Sequence, residues 1–362
     1  MRTLRVLIVT TWWPTDDQPN VAPFNVAHAK AIARHHDVRV VRIQRVVEPR
    51  TNVRDPRSGL PLTTVSANPR DPVATARSLN ELRKMAKDAD VIHTMAYDGV
   101  TVLAPLAPLI SKRWVHTEHW SMFVKDGASG VPFRVKHTMR LPRKITAVTQ
   151  DLADAIAPYA RPGALSVVPC ILNDSFAATP QPSWEPLKLV AVSSLIPRKR
   201  PLLAVDTVRE LIDGGMNVHL TWVGDGPLRE DTLRRAEELG VEANVALTGF
   251  VQPDQVAEHV RNANMFFLPT EVENFLTSAA ESLACGRPVV VPNTGGFTEY
   301  ITANNGVIAE DETAQGFAKA VREAAARLKD ESPESIRATV IPKFSFDTVG
   351  DQFDAIYRSL AS

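Results

Sequence analysis

The sequence predicts an α/β protein built from two doubly wound, parallel-sheet domains. Short apolar runs rich in β-branched residues alternate with longer segments of helical period, and after a Pro-rich stretch the alternation begins again. The 362-residue length agrees, being long for one core and comfortable for two.

In the first array, strands are expected over residues 6–10, 38–43, 91–94, 114–117, 145–148 and 166–168, with helices over 24–34, 74–87 and 150–159. Residues 173–186, rich in Pro and small polar residues, read as the linker. The second array has strands over 187–192, 218–223, 245–247, 265–268 and 288–291, with helices over 202–213 and 228–239. A terminal helix over 346–360 carries Phe346, Val349, Phe353, Ile356 and Leu360 on an apolar face. The expected division is therefore 1–172, 173–345, and a terminal helix in 346–362 that packs back toward the first domain. Two such sheets facing each other make a cleft at the carboxyl ends of their strands, where ligands of open α/β sheets bind.

Composition narrows the function classes. Hydrophobic content of 44% and charged content of 23% are ordinary for a globular protein. The apolar run 6–13 is shorter than a membrane span and has no small-residue cleavage site, so it reads as a buried strand. Cys170 and Cys285 form no disulfide framework and no Cys/His cluster, which points to a reducing, cytoplasmic compartment and no metal site. The formal net charge of zero conceals an asymmetry: residues 1–172 hold 24 Lys+Arg against 14 Asp+Glu (+10), and residues 173–362 hold 17 against 27 (−10). A basic first domain suits an anionic acceptor or the inner face of an anionic membrane; the competing reading is a solvated basic face. Residues 133–144 interleave Phe133, Val135, Met139 and Leu141 with six basic residues, a pattern compatible with an interfacial helix. Nothing points to nucleic acid.

The densest chemistry lies in residues 271–299. Glu273 precedes a helix start and Glu281, eight residues on, lies inside that helix; an apolar strand, the turn Gly295-Gly296 and Glu299 follow. Such a pair can hold two ends of one ligand while the helix N-terminus faces a phosphate. Ser278 to Glu281 also fits the S-x-x-E capping box, in which the Glu serves its own helix, so both readings stand. Arg198, Lys199 and Arg200 follow the first strand of the second array, either as a phosphate site or as a solvated basic turn. Gly224-Asp225-Gly226 lacks the third glycine of a dinucleotide fingerprint, and no P-loop motif occurs.

Together these residues resemble the family 4 retaining glycosyltransferases of GT-B fold, over nearly the whole chain. The matching motifs are Glu273 to Glu281 (E-x7-E), Ala284-Cys285-Gly286-Arg287-Pro288-Val289-Val290 and Gly295-Gly296-Phe297-Thr298-Glu299. Val223 to Leu228, Gly249-Phe250-Val251, Glu118-His119, Ala147-Val148-Thr149 and Phe344-Ser345-Phe346 look like further landmarks. Trp13-Pro14 with Asn20 to Phe24 is similar to the opening loop of members that build bacterial surface polysaccharides.

The resemblance implies transfer of a hexosyl-type sugar from a nucleotide diphosphate donor, a UDP- or GDP-sugar, to a hydroxyl on a glycan, glycolipid or small metabolite. Retention, no metal and no cofactor are implied with it. Glu281 would hold the ribose diol. Glu273 and the main chain at Asn274, Phe275, Leu276 and Thr277 would hold the sugar, and Lys199 the leaving diphosphate. His119 would bond the donor sugar, while Gly224 and Phe250 complete the donor side. Trp13, Phe24, His93 and Trp120, with Trp12, are expected on the acceptor side; Trp12, Trp13 and Trp120 read either as a stacking wall for a sugar or lipid-linked acceptor or as buried aromatics at strand ends. Ser194 stands where the family carries an arginine, so Arg198 or Arg200 is expected to take over its role; Asn274 and Leu276 replace glycines and either narrow the donor pocket or only alter loop packing. A nucleotide-sugar 2-epimerase of the same fold and a non-catalytic nucleotide-binding protein are the alternatives.

Overall fold

The computed structural model describes residues 2–18, 21–45, 50–67 and 71–360; Asn20, named above in the opening loop, lies outside them. The chain divides into two compact units, one formed by Met1–Ile171 with Lys343–Ser362 and the other by Leu172–Pro342.

The first unit holds an eight-stranded sheet: β1 (Arg5–Thr10), β2 (Asp37–Gln44), β3 (Thr51–Arg54), β4 (Pro61–Ser66), β5 (Val91–Met95), β6 (Trp114–Glu118), β7 (Lys144–Ala147) and β8 (Leu165–Val167). Their order is β3-β4-β2-β1-β5-β6-β7-β8, parallel except for β3, which runs antiparallel to β4 at the edge. Strand alternation sends Val6 and Ile8 into one core with the helices Pro23–Ala33 and Phe346–Arg358. Leu7 and Val9 enter the other, with the helix Pro72–Lys87. Because both faces are covered, β1 reads as a continuous apolar run instead of an alternating one. β3 and β4 were absent from the sequence expectation: all four residues of β3 are exposed, so no burial pattern marks it.

The helix Phe346–Arg358 starts at Ser345, whose side chain accepts the Thr348 N–H at 3.1 Å, and it buries Val349, Phe353 and Tyr357. His36 Nε2 lies 3.2 Å from Asp354, and His93 Nδ1 lies 2.6 Å from the Tyr357 hydroxyl.

The second unit holds six parallel strands: β9 (Leu187–Val192), β10 (Val218–Val223), β11 (Val245–Gly249), β12 (Met265–Phe267), β13 (Val289–Pro292) and β14 (Gly306–Ala309), in the order β11-β10-β9-β12-β13-β14. β14 was also absent from the expectation, being only four residues long with a leading glycine. Arg287, fully buried, staples the segment after Leu172 to this unit. Its guanidinium donates to the carbonyls of Thr179 (2.9 Å), Pro180 (3.0 Å) and Arg261 (2.7 Å) and to the Thr179 hydroxyl (2.8 Å).

Each sheet has one place where the strand order reverses. In the first it lies between β1 and β5, in the second between β9 and β12. These are the switch points at which open α/β sheets expose a ligand crevice at the strand carboxyl ends.

Candidate functional site

At the second switch point, the loop after β9 meets the loop after β12. Glu273 Oε1 accepts from Arg198 Nη1 at 3.0 Å, from the Thr270 hydroxyl at 3.2 Å and from the Lys199 ammonium. Arg198 also donates to the Val272 carbonyl at 2.8 Å, while its own carbonyl accepts the Glu271 N–H at 2.8 Å. The two loops are thus knit by main chain and side chain together. Lys199 is only 9% exposed, and burial lowers its pKa from the ordinary lysine value against the opposing pull of Glu273. Gly295, at φ 75°, closes the site from behind β13: a Cβ there would stand 1.8 Å from the Glu273 carbonyl oxygen, so only glycine admits this approach.

The helix Thr277–Ala284 begins after Leu276, a non-glycine residue at φ 46°, and no side chain caps it. The Tyr300 hydroxyl donates to the carbonyls of Phe275 (2.6 Å) and Leu276 (2.9 Å) and so fixes the turn. Asn274, Phe275 and Leu276 are buried. The capping-box reading of Glu281 fails, because Leu276 is the N-cap and Ser278 lies within the helix, its carbonyl accepting from Ser282. The half-buried Glu281 carboxyl takes no hydrogen bond or ion pair from any described residue, and desolvation pushes its pKa up to about 8.

The loops after β9, β10 and β11 form one neighbourhood. Ser193 N–H donates to the Val223 carbonyl at 3.0 Å and Gly224 N–H to the Gly249 carbonyl at 3.1 Å. Gly224, at φ 141°, lies so close to this loop that a Cβ would stand 2.1 Å from the Ser193 carbonyl oxygen. Ser194 is exposed beside it, and Phe250 follows Gly249 with 71% of its surface exposed. Of the two arginines expected to replace the missing guanidinium, Arg198 stands in the Glu273 cluster. Arg200 does not: it sits at φ 51° ahead of its helix and pairs with Glu312.

A comparison of the sequence with protein families matches residues 186–327 to the glycosyl transferases group 1 model. This segment is a group 1 glycosyltransferase domain. It contains every residue expected on the donor side except His119. The GDP-mannose-dependent alpha-(1-6)-phosphatidylinositol dimannoside mannosyltransferase of Mycobacterium tuberculosis is 36% identical over 135 residues, which is 37% of this chain and 34% of that enzyme. The chain thus spans about a third of the length of that relative. The corresponding monomannoside mannosyltransferase from the same species is 27% identical over 272 residues, 67% of this chain and 69% of that one. Among solved structures, Anabaena HepE in complex with UDP superposes with a TM-score of 0.79 at 15% identity, over 99% of this chain and all of that one. The lipopolysaccharide outer core galactosyltransferase WaaB, in its apo form, gives 0.75 at 16% identity over 98% of this chain and all of that one. The fold is GT-B.

Outside the glycosyltransferase domain, the first unit places His119 directly after β6. Glu118, fully buried, accepts the N–H groups of His119 (2.8 Å) and Trp120 (2.9 Å) and bonds His116 Nε2 at 3.2 Å, so it anchors the loop that carries His119. The His119 ring stacks on Phe24 at 4.2 Å and stands 4.0 Å from the Cys170 sulfur. Desolvation, reinforced by His28, His116 and His93, holds its pKa well below the usual histidine range.

Two acceptor-side expectations need correction. His93 is fully buried with both ring nitrogens engaged, by the Tyr357 hydroxyl and the Thr117 hydroxyl at 2.6 Å each, so it is a core residue. Trp13 is buried in the same core, whereas Trp12 and Trp120 remain partly exposed. The stretch 133–144 is corrected too: its helix is only Phe133–Thr138, and Val135 and Met139 are buried within the unit, leaving Phe133 as its exposed apolar residue at 81%. Thr270 and Tyr300 support the site residues but escaped the sequence reading, and Glu118 was named there only as a landmark beside His119, since no spacing or charge pattern sets a buttress apart from a core polar residue.

Proposed function

We propose that this chain transfers a sugar from a nucleoside diphosphate donor to a hydroxyl acceptor with retention at the anomeric carbon. The observation that carries the proposal is the meeting of Lys199, Arg198 and Glu273 at the β9/β12 switch point, beside an uncapped helix start and the unpaired Glu281 carboxyl. In this reading the helix amides and Lys199 stabilise the charge that develops on the leaving diphosphate. Glu273, oriented by Arg198 and Thr270, accepts hydroxyls of the sugar. Glu281, with free oxygen lone pairs, holds the ribose diol. His119, kept neutral, serves as a hydrogen-bonding group for the donor sugar, and a donor phosphate oxygen takes the acceptor proton during same-face attack. The scheme uses no metal or cofactor.

The relatives' names favour GDP-mannose, while the solved neighbours include a UDP complex, so both bases belong in the test. The relatives named above act on phosphatidylinositol mannosides, and the +10 balance of residues 1–172 suits an anionic surface, so we place the protein peripherally at a membrane. Among the described residues no helix is long and apolar enough to cross one. Incubation with GDP-mannose, UDP-glucose, UDP-N-acetylglucosamine and UDP-galactose, followed by nucleotide release, tests the proposal. Release of GDP or UDP supports it; a thermal shift with nucleotide but no turnover of any donor refutes it in favour of a binding protein, and epimerised donor in favour of an epimerase.

A further inference from the structure

The loop after β13 holds the loop after β12 from one side. The Thr294 hydroxyl donates to the Glu271 carbonyl at 3.0 Å, Gly295 packs against the Glu273 carbonyl, and the Tyr300 hydroxyl reaches the carbonyls of Phe275 and Leu276 at 2.6 and 2.9 Å. The last contact has a directional consequence. A phenol carries one proton, so the two carbonyls share it in a three-centre bond and must turn to the same side. In a trans peptide the N–H points opposite to its carbonyl. Fixing the carbonyls of Phe275 and Leu276 therefore aims the N–H groups of Leu276 and Thr277, the first amides of the helix start, the other way.

This stretch of backbone needs such a hold. Leu276 sits at φ 46° and ψ 66°, a left-handed conformation that a β-carbon disfavours, and no side chain caps the helix it opens. Tyr300 is itself fixed from behind. It is 4% exposed, its ring lies 5.3 Å from that of Phe275, and its carbonyl accepts Asn305 Nδ2 at 2.9 Å. Asn305, fully buried, also donates to the Thr339 hydroxyl at 2.9 Å and accepts the Thr302 N–H at 2.7 Å. The phenol is thus a rigid strut between the body of the second unit and the mouth of the helix.

We infer that Tyr300 is a positioning residue for the transfer step: its hydroxyl orients the main-chain amides of Leu276 and Thr277 toward the charge that grows on the leaving diphosphate. This rests on the transferase reading above and assigns the group that sets its phosphate-facing amides.

The test is Tyr300→Phe, which keeps the ring and its packing and removes only the shared proton. Kinetics use whichever donor of the panel above the wild type turns over, and isothermal titration uses GDP, GMP, UDP and UMP. A free diphosphate carries the charge that the leaving group acquires, whereas the intact donor does not. In the variant, kcat should therefore fall about ten-fold with donor KM within about two-fold of wild type. Affinity for the diphosphate should fall by a similar factor and that for the monophosphate should hold. Melting well above the assay temperature verifies folding, and a merely structural role would leave the kcat-against-KM split and the diphosphate-to-monophosphate ratio at their wild-type values. An active wild type with a variant unchanged in both, or changed equally for monophosphate and diphosphate, overturns the inference and leaves the transferase reading standing. A wild type that neither turns over a donor nor binds a nucleotide ends that reading, and the inference falls with it.

Discussion

Replacing Glu281 with Gln should make the unliganded protein more stable above neutral pH while weakening its hold on nucleotide. The Glu281 carboxyl has a pKa of about 8 in the fold against an ordinary 4.5, because the surrounding protein desolvates its charge without offering a partner. Below pH 4.5 both states are protonated and the group costs nothing. As pH rises from 4.5 to 8 the unfolded chain releases its proton while the folded chain keeps it, so stability falls across that window and levels off above it. The full difference corresponds to about 5 kcal/mol. Since Glu281 is half-buried and not sealed from water, roughly 2 kcal/mol is the working figure. For a unit of this size that is a melting-temperature gain of about 4–8 °C. Differential scanning fluorimetry of wild type and Glu281→Gln at pH 5 and pH 8.5 reads it directly. The variant should match wild type at the lower pH and exceed it at the higher, yet bind GDP or UDP about ten- to hundred-fold more weakly. A diol bonding the ionised carboxylate also predicts that nucleotide affinity of the wild type climbs as pH approaches 8. A variant that melts at or below wild type at pH 8.5 would refute the reasoning.

The remaining expectations touch other parts of the molecule. Glu273→Ala should cut transfer by at least about a hundred-fold by removing the sugar's acceptor group. It should also lower the melting temperature slightly, since Lys199 and Arg198 lose their shared counter-ion; wild-type turnover would remove Glu273 from the reaction. His28 is fully buried, donates Nε2–H to the Pro169 carbonyl at 2.9 Å and has its pKa lowered to about 4 by burial. The unfolded chain therefore binds the extra proton first, and stability is lost as pH falls from about 6.5 toward 4, by up to about 3 kcal/mol. His28→Gln should flatten that acid-side loss in pH-dependent melting, and an unchanged slope would show that His28 does not set it. If the basic first unit docks on anionic lipid, co-sedimentation with phosphatidylglycerol vesicles should decline with salt and drop in Phe133→Ser/Arg134→Ser; insensitivity to both would remove the membrane reading.

Much of the fold was legible because parallel strands buried on both faces must be continuous apolar runs. β1, β9 and β13 announce themselves in this way, and their helices follow by period. β3 carried no such mark, being an exposed antiparallel edge, and β14 is a four-residue strand that opens on glycine. At the site, charge spacing located Glu273, Glu281 and the Arg198-Lys199 pair, and the structure brings Glu273 together with both cations. What spacing does not encode is direction. Arg200 stands next to Lys199 in sequence, but a left-handed backbone turns it to Glu312. His93 lies in the middle of β5 and Trp13 just past β1, and both are turned into the core. The capping-box pattern at Ser278 matched its template and still failed, since the helix begins two residues earlier than that template requires.

The central claim, retaining transfer from a nucleotide sugar by way of the Lys199–Glu273 pair and Glu281, is tested most directly by proton NMR of the anomeric centre during turnover of an α-linked donor such as GDP-mannose. The account predicts an α-configured product as the first species formed, with no product in Glu273→Ala. A β-configured first product, or wild-type product formation in that variant, would contradict it.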